Sequence, residues 1–96
     1  MDMFTYVGLI KLTPEGREKI KEAPKYLEKI ETFIEEEGGH LEKTFAMMGP
    51  WDFVAIVKYP TIEAAFRALA RIGTLEVVET ETFPVEEVEV FIKALV

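Results

Sequence analysis

The chain contains no cysteine. That removes a disulfide framework, a thiol nucleophile and every zinc site built on thiolates. Serine, asparagine and glutamine are absent as well, so a hydrolase of the Ser-His-Asp type has no nucleophile. With Glu and Lys supplying most of the charge, the lack of amide side chains is a composition of thermophilic type. No apolar run approaches the roughly 20 residues that a membrane helix requires, so no membrane partner is expected. Basic residues are outnumbered: 11 Lys and Arg against 18 Asp and Glu leave a net charge of -7, and no Lys/Arg stripe could track phosphates. Because neutralising phosphates supplies most nucleic-acid affinity, no nucleic-acid partner is expected either. Met1-Asp2-Met3-Phe4 has no basic stretch ahead of an apolar one, so no secretory signal is read and a cytoplasmic location is expected.

What is present fits one domain, residues 1–96, with nearly half its residues apolar. Met3 to Leu12 alternates as a strand, with Phe4, Tyr6, Ile10 and Leu12 on one face and Thr5, Val7 and Leu9 on the other. Both faces are largely apolar, which implies cover on each side. Thr13-Pro14-Glu15 is a helix start: an N-cap threonine, proline at the first helical position and an acid favourable to the helix dipole. Pro24 removes a backbone donor and splits that helix, leaving a longer piece from Pro24 to Glu37 that buries Leu27, Ile30, Phe33 and Ile34 before Gly38-Gly39 ends it. Glu35-Glu36-Glu37 at its end reads as a solvated face.

His40 to Met48 fits an edge strand, with Leu41, Lys43, Phe45 and Met47 sharing one side. Phe53 to Tyr59 fits a central strand. Thr61 caps a helix whose apolar face is Ile62, Ala65, Phe66 and Leu69, ended near Gly73. Leu75 to Phe83 reads as a final strand, and its Glu79, Thr80, Glu81 and Thr82 point to an exposed edge or a lined cavity. Pro84 then opens a terminal helix with Val85, Val88, Ile92 and Leu95 at helical spacing, which is expected to dock on its own subunit or on a partner.

The order is that of an α+β, ferredoxin-like βαββαβ fold with an extra C-terminal helix and both long helices on one side of an antiparallel sheet. The other side would be bare and apolar. A homodimer about a two-fold axis, closed through that face as a dimeric α+β barrel, is the simplest remedy.

Two stretches carry a family resemblance: Thr5-Tyr6-Val7-Gly8-Leu9-Ile10-Lys11-Leu12-Thr13 followed by Gly16, and Gly49-Pro50-Trp51-Asp52-Phe53-Val54-Ala55-Ile56-Val57. Together with Thr80-Glu81-Thr82 they resemble the GYD domain family, named for a Gly-Tyr-Asp tripeptide, over roughly Thr5 to Phe83. Here Pro50 intervenes and Trp51 stands where the family has tyrosine, so the aromatic is kept and its hydroxyl lost. The second half is also similar to the effector-binding domain of leucine-responsive regulatory proteins, where a Gly-x-x-Asp turn lies near an amino-acid site at a subunit interface. No DNA-binding helix-turn-helix precedes it, so this resemblance implies a stand-alone ligand-contacting domain.

Gly49, Trp51 and Asp52 at the turn, together with Tyr6, are therefore the candidate ligand-binding residues. Asp52 would receive the amino group of a small zwitterion or fix the turn by accepting backbone N–H groups. Trp51 would wall a pocket or plug an interface. His40 and Glu42 form a two-ligand pair whose third donor would have to be Asp52 brought near by the fold, and neither a metal nor a cofactor is expected. The leading function is a non-enzymatic homodimeric module for an amino-acid-like ligand. The alternatives are a cofactor-free enzyme using Tyr6, His40, Trp51 and Asp52, and a purely structural assembly subunit.

Overall fold

In the computed structural model, which describes residues 3–96, the chain runs β1 (Phe4–Leu12), α1 (Pro14–Glu18), a short 3₁₀ turn (Ile20–Glu22), α2 (Ala23–Glu36), β2 (His40–Ala46), β3 (Phe53–Tyr59), α3 (Ile62–Ile72), β4 (Val78–Val85) and α4 (Val88–Ala94). Met1 and Asp2, on which part of the reading of the start rests, lie outside the described residues. The strands form one sheet in the order β2-β3-β1-β4 with every neighbouring pair antiparallel, which is the expected ferredoxin-like arrangement followed by the extra helix.

The helix boundaries follow from their caps. Thr13 Oγ1 accepts the Gly16 N–H at 3.1 Å and Thr61 Oγ1 the Ala64 N–H at 3.0 Å, each satisfying a first-turn donor worth about 1 kcal/mol. Pro24 sits in the first turn of α2, where its missing donor costs nothing, and the chain ahead of it breaks into α1 and the 3₁₀ turn. At the other end Gly38 takes φ +82°, and the Gly38 and Gly39 N–H groups return to the Glu35 and Ile34 carbonyls, both at 2.9 Å. That pair of bonds is a Schellman cap.

Helices α2 and α3 cover one face of the sheet. Tyr6, Ile10 and Leu12 from β1 and Ala55, Val57 and Tyr59 from β3 meet Ile30 and Ile34 of α2 and Ala64, Ala65, Ala68 and Ile72 of α3 in a single buried cluster. Small residues on α3 let that helix lie close to the sheet. The acids at the end of α2 are not merely solvated: Glu36 pairs with Arg71 and Glu37 with both Arg67 and Arg71, clamping α2 to α3. The hydrogen bond from Arg67 is the chief reason that the Glu37 carboxyl is held below its ordinary range, with the Arg67 and Arg71 charges assisting against the opposing cost of desolvation. Arg71 also stacks over Phe33, 4.5 Å from the ring centroid.

Three boundaries and faces differ from the sequence reading. Strand β4 begins at Val78 instead of Leu75, because Leu75 to Val77 complete the connection from α3: the Leu75 N–H still bonds Ile72, and the Val77 carbonyl accepts the Thr13 N–H at 3.0 Å. Proline 84 does not open α4 but continues β4, opposite Tyr6, and α4 starts at Val88. An edge strand tolerates proline because the missing donor faces no neighbour. In β2 a bulge between Leu41 and Lys43 resets the alternation. Leu41 consequently faces the helices while Lys43 and Phe45 face away, so these side chains do not share one side as the alternation predicted.

Tyr59 is 2% exposed, its ring edge-on to Tyr6 with centroids 5.5 Å apart. Burial, with the neighbouring Tyr6 as a lesser cause, pushes its pKa up from 10.0 to about 12. A neutral acid with a raised folded pKa contributes stability that is fully present below the unfolded pKa and lost as pH climbs to the folded one. Unfolding free energy should therefore fall between pH 10 and about 12, by about 3 kcal/mol. Urea unfolding across that window checks it, and Tyr59→Phe should remove most of the slope.

Candidate functional site

The Gly49–Asp52 turn closes the β2–β3 hairpin at the end of the sheet that carries Leu12 and Phe53. The Met47 N–H donates to the Asp52 carbonyl at 2.8 Å, and the Asp52 N–H donates to the Ile10 carbonyl at 2.9 Å, just beyond the last β1–β3 pair, Ile10 with Phe53. Gly49 has φ +111° with open space around it, a backbone requirement rather than a packing one. The Asp52 carboxylate accepts the Leu12 N–H through Oδ2 at 2.8 Å and the Arg17 guanidinium at 3.1 and 3.3 Å. One side chain thus straps the hairpin to the end of β1 and the first turn of α1. Beside it, Gly16 packs so tightly on Val77 that a Cβ there would run into the Val77 carbonyl oxygen.

Gly49, Trp51 and Asp52 are therefore neighbours, with Trp51 half-buried. Tyr6 is elsewhere: it is buried on the helix side of β1 opposite Val57, four residues or about 13 Å along the sheet from the level of Phe53. His40 lies at the far end of β2, exposed on the open face, 3.9 Å from Glu42, which also pairs with Lys58 at 3.3 Å. Among the described residues no three His, Asp or Glu side chains cluster as a metal site would require. Arg17 escaped the sequence reading, since its partner Asp52 is 35 residues away and nothing local couples them.

A second feature is the uncovered side of the sheet. Register places Val7 and Leu9 of β1 and Val54 and Ile56 of β3 at its centre, half-buried, flanked by exposed Phe45 on β2 and Phe83 and Val85 on β4. Charge on its borders is mixed: Lys43, and Lys58 paired with Glu42, stand on the β2/β3 side, while Glu79 and Glu81 stand on β4 with Lys11 of β1 opposite Glu79. On the helix side, a cavity of about 30 Å³ beneath α3 is lined by apolar side chains and by Thr80 and Thr82, room for a water and not for an amino acid.

Sheet order and helix placement define a small ferredoxin-like α+β protein. The 30S ribosomal protein S6 of Thermotoga maritima shares this fold, with a TM-score of 0.65 at 15% identity over 98% of each chain. The chain belongs to the GYD domain family, whose model matches residues 6–95 and so takes in α4 as well. A Thermus thermophilus protein described as "Glutamine synthetase and cystathionine beta-lyase binding protein" is 28% identical over 89 residues, covering 88% of this chain and 94% of the relative. A crystal structure of a Thermus thermophilus protein superposes with a TM-score of 0.58 at 24% identity, over 88% of this chain and 95% of that one. Among the described residues no helix is long and apolar enough to cross a membrane.

Proposed function

We propose that the protein is a homodimeric docking module with no catalytic chemistry of its own, closing its open sheet face on a second copy and binding larger enzymes as a dimer. The observation that carries this reading is the open face itself. Seven apolar side chains run contiguously across all four strands, a patch of the kind that marks an interaction surface. Support for enzyme partners comes from the Thermus relative, named for binding glutamine synthetase and cystathionine beta-lyase and aligned over most of both chains. Native mass spectrometry of the protein mixed with each purified enzyme tests it. The expected result is an enzyme assembly carrying additional mass in multiples of the dimer; dimers that persist beside bare enzyme in both mixtures would sink the docking role.

A small zwitterion at the Gly49–Asp52 turn is the second reading, and the Arg17–Asp52 pair supports it. A cation 55% exposed and a carboxylate 20% exposed, 3.1 Å apart, complement the two charged ends of an amino acid. Trp51 and Gly49 would flank such a ligand, whereas Tyr6, about 13 Å away and buried on the helix side, has no part in this reading.

A further inference from the structure

The carboxylates of α2 divide into two groups. Glu36 and Glu37, at its C-terminal end, are engaged by Arg67 and Arg71 of α3. Glu28 and Glu31, nearer its start, take part in no ion pair among the described residues. Three residues apart, they lie on one face of the helix, where like charges repel each other.

That face borders a groove of about 290 Å³ between α2 and the edge strand β2, on the helix side of the sheet. Leu27 on α2 and Leu41 on β2 wall it, and Ala55 of β3 is its floor. The sheet is low here for a reason of sequence: Thr44, Ala55, Gly8 and Thr82 stand opposite one another across all four strands, so no large side chain rises beneath α2 along that row. The bulge in β2 shapes the outer wall. Regular alternation would turn Leu41 and Thr44, three residues apart, to opposite sides of the sheet; with the extra residue between Leu41 and Lys43, Leu41 stands opposite Val57 and Thr44 opposite Ala55, both on the helix side. Bulges commonly re-aim side chains in this way beside binding sites.

The lining selects its occupant. A volume of this size is near the lower end of small-molecule pockets, and leucine walls suit a hydrocarbon chain or an aromatic ring. Glu28, half-buried Glu31 and the exposed Thr44 hydroxyl make the rim, and ionised carboxylates only accept hydrogen bonds. Their complement is an ammonium group, with three donors and the opposite charge. An anionic ligand would meet like charge at the rim and a net charge of -7 on the chain.

We infer that the α2–β2 groove binds a small amphipathic amine, its apolar body between Leu27 and Leu41 and its ammonium shared by Glu28 and Glu31. The site has no residue in common with the open face or the Gly49–Asp52 turn, so it stands or falls apart from the docking role. Isotope-labelled protein titrated at neutral pH with phenethylamine, one ring and one ammonium, and with hydrocinnamate, which carries a carboxylate in place of the amine, tests it through backbone amide chemical shifts. The expected result is saturable shifts at Leu27, Glu31, Leu41 and Thr44 with the amine and none with the carboxylate. Glu31→Gln should weaken the amine by about 10-fold or more, while Glu89→Gln on α4, an equal change in net charge, should leave it unaltered. Equal binding of both probes, or of the amine to Glu31→Gln and the parent chain, would overturn the assignment of a cation. Shifts that never saturate, or that centre on the open face or on Trp51 and Asp52, would overturn the groove itself.

Discussion

On the homodimer proposed above, Ile56→Lys is expected to leave a folded monomer. Ile56 sits mid-strand in β3 between Val7 and the Lys43 register position, so it occupies the centre of the open face rather than its rim. A two-fold interface receives the substitution twice, and both ammonium groups lose water in an apolar contact that offers no partner carboxylate. Lys43 on the same border adds like charge. The dimer should weaken by on the order of 1,000-fold, about 4 kcal/mol. Sedimentation or light scattering over a concentration series measures it. The monomer should keep its circular dichroism, because Ile56 contributes nothing to the buried cluster under α2 and α3. An unchanged dimer would place the interface elsewhere.

The elements with local punctuation were legible from sequence, and the features that depend on distant contacts were not. Thr13-Pro14, Thr61 and Gly38 announce helix boundaries because capping chemistry is satisfied within a few residues. Apolar side chains on both faces of β1 and β3 announced an uncovered sheet face, since the helices can cover only one. The bulge after Leu41 is not written in the letters: Leu41, Phe45 and Met47 fall on one side with only Lys43 interrupting them, and the extra residue exists only in relation to β3. Pro84 reads as a helix opener for the same reason, because whether a proline ends a strand depends on which side has a neighbour, and β4 is an edge.

The residues that carry the family resemblance acquire a common physical role. Gly16 permits the first turn of α1 to lie against the Val77 carbonyl, Thr13 ties that turn to Glu76 and Val77, and Asp52 ties it to the hairpin through Leu12 and Arg17. Two segments that are distant in sequence are thereby stitched to the end of the central strand pair. This architecture accounts for a glycine and an aspartate in fixed surroundings without invoking a ligand. The strap runs through the carboxylate next to Trp51, which is half-buried between Pro50 and Asp52.

Asp52→Ala separates the strap from the ligand site. It removes a charge-assisted bond to the Leu12 N–H, a partly buried donor that then has no acceptor, and the loss should be about 3 kcal/mol. For a domain of this size that lowers the melting temperature by roughly 10 to 20 °C. Arg17→Ala should cost no more than about 0.5 kcal/mol, because its guanidinium is largely in water. Asp52→Asn keeps an acceptor for Leu12 and should fall between the two. Chemical denaturation of the three variants measures this order. If instead Asp52→Ala melts with the parent chain while a bound amino acid is lost, the carboxylate serves the ligand and the strap account fails. If Asp52→Ala is destabilised and Arg17→Ala is not, the backbone bond outweighs the ion pair, and the acid of the family motif is explained by the end of β1 that it holds.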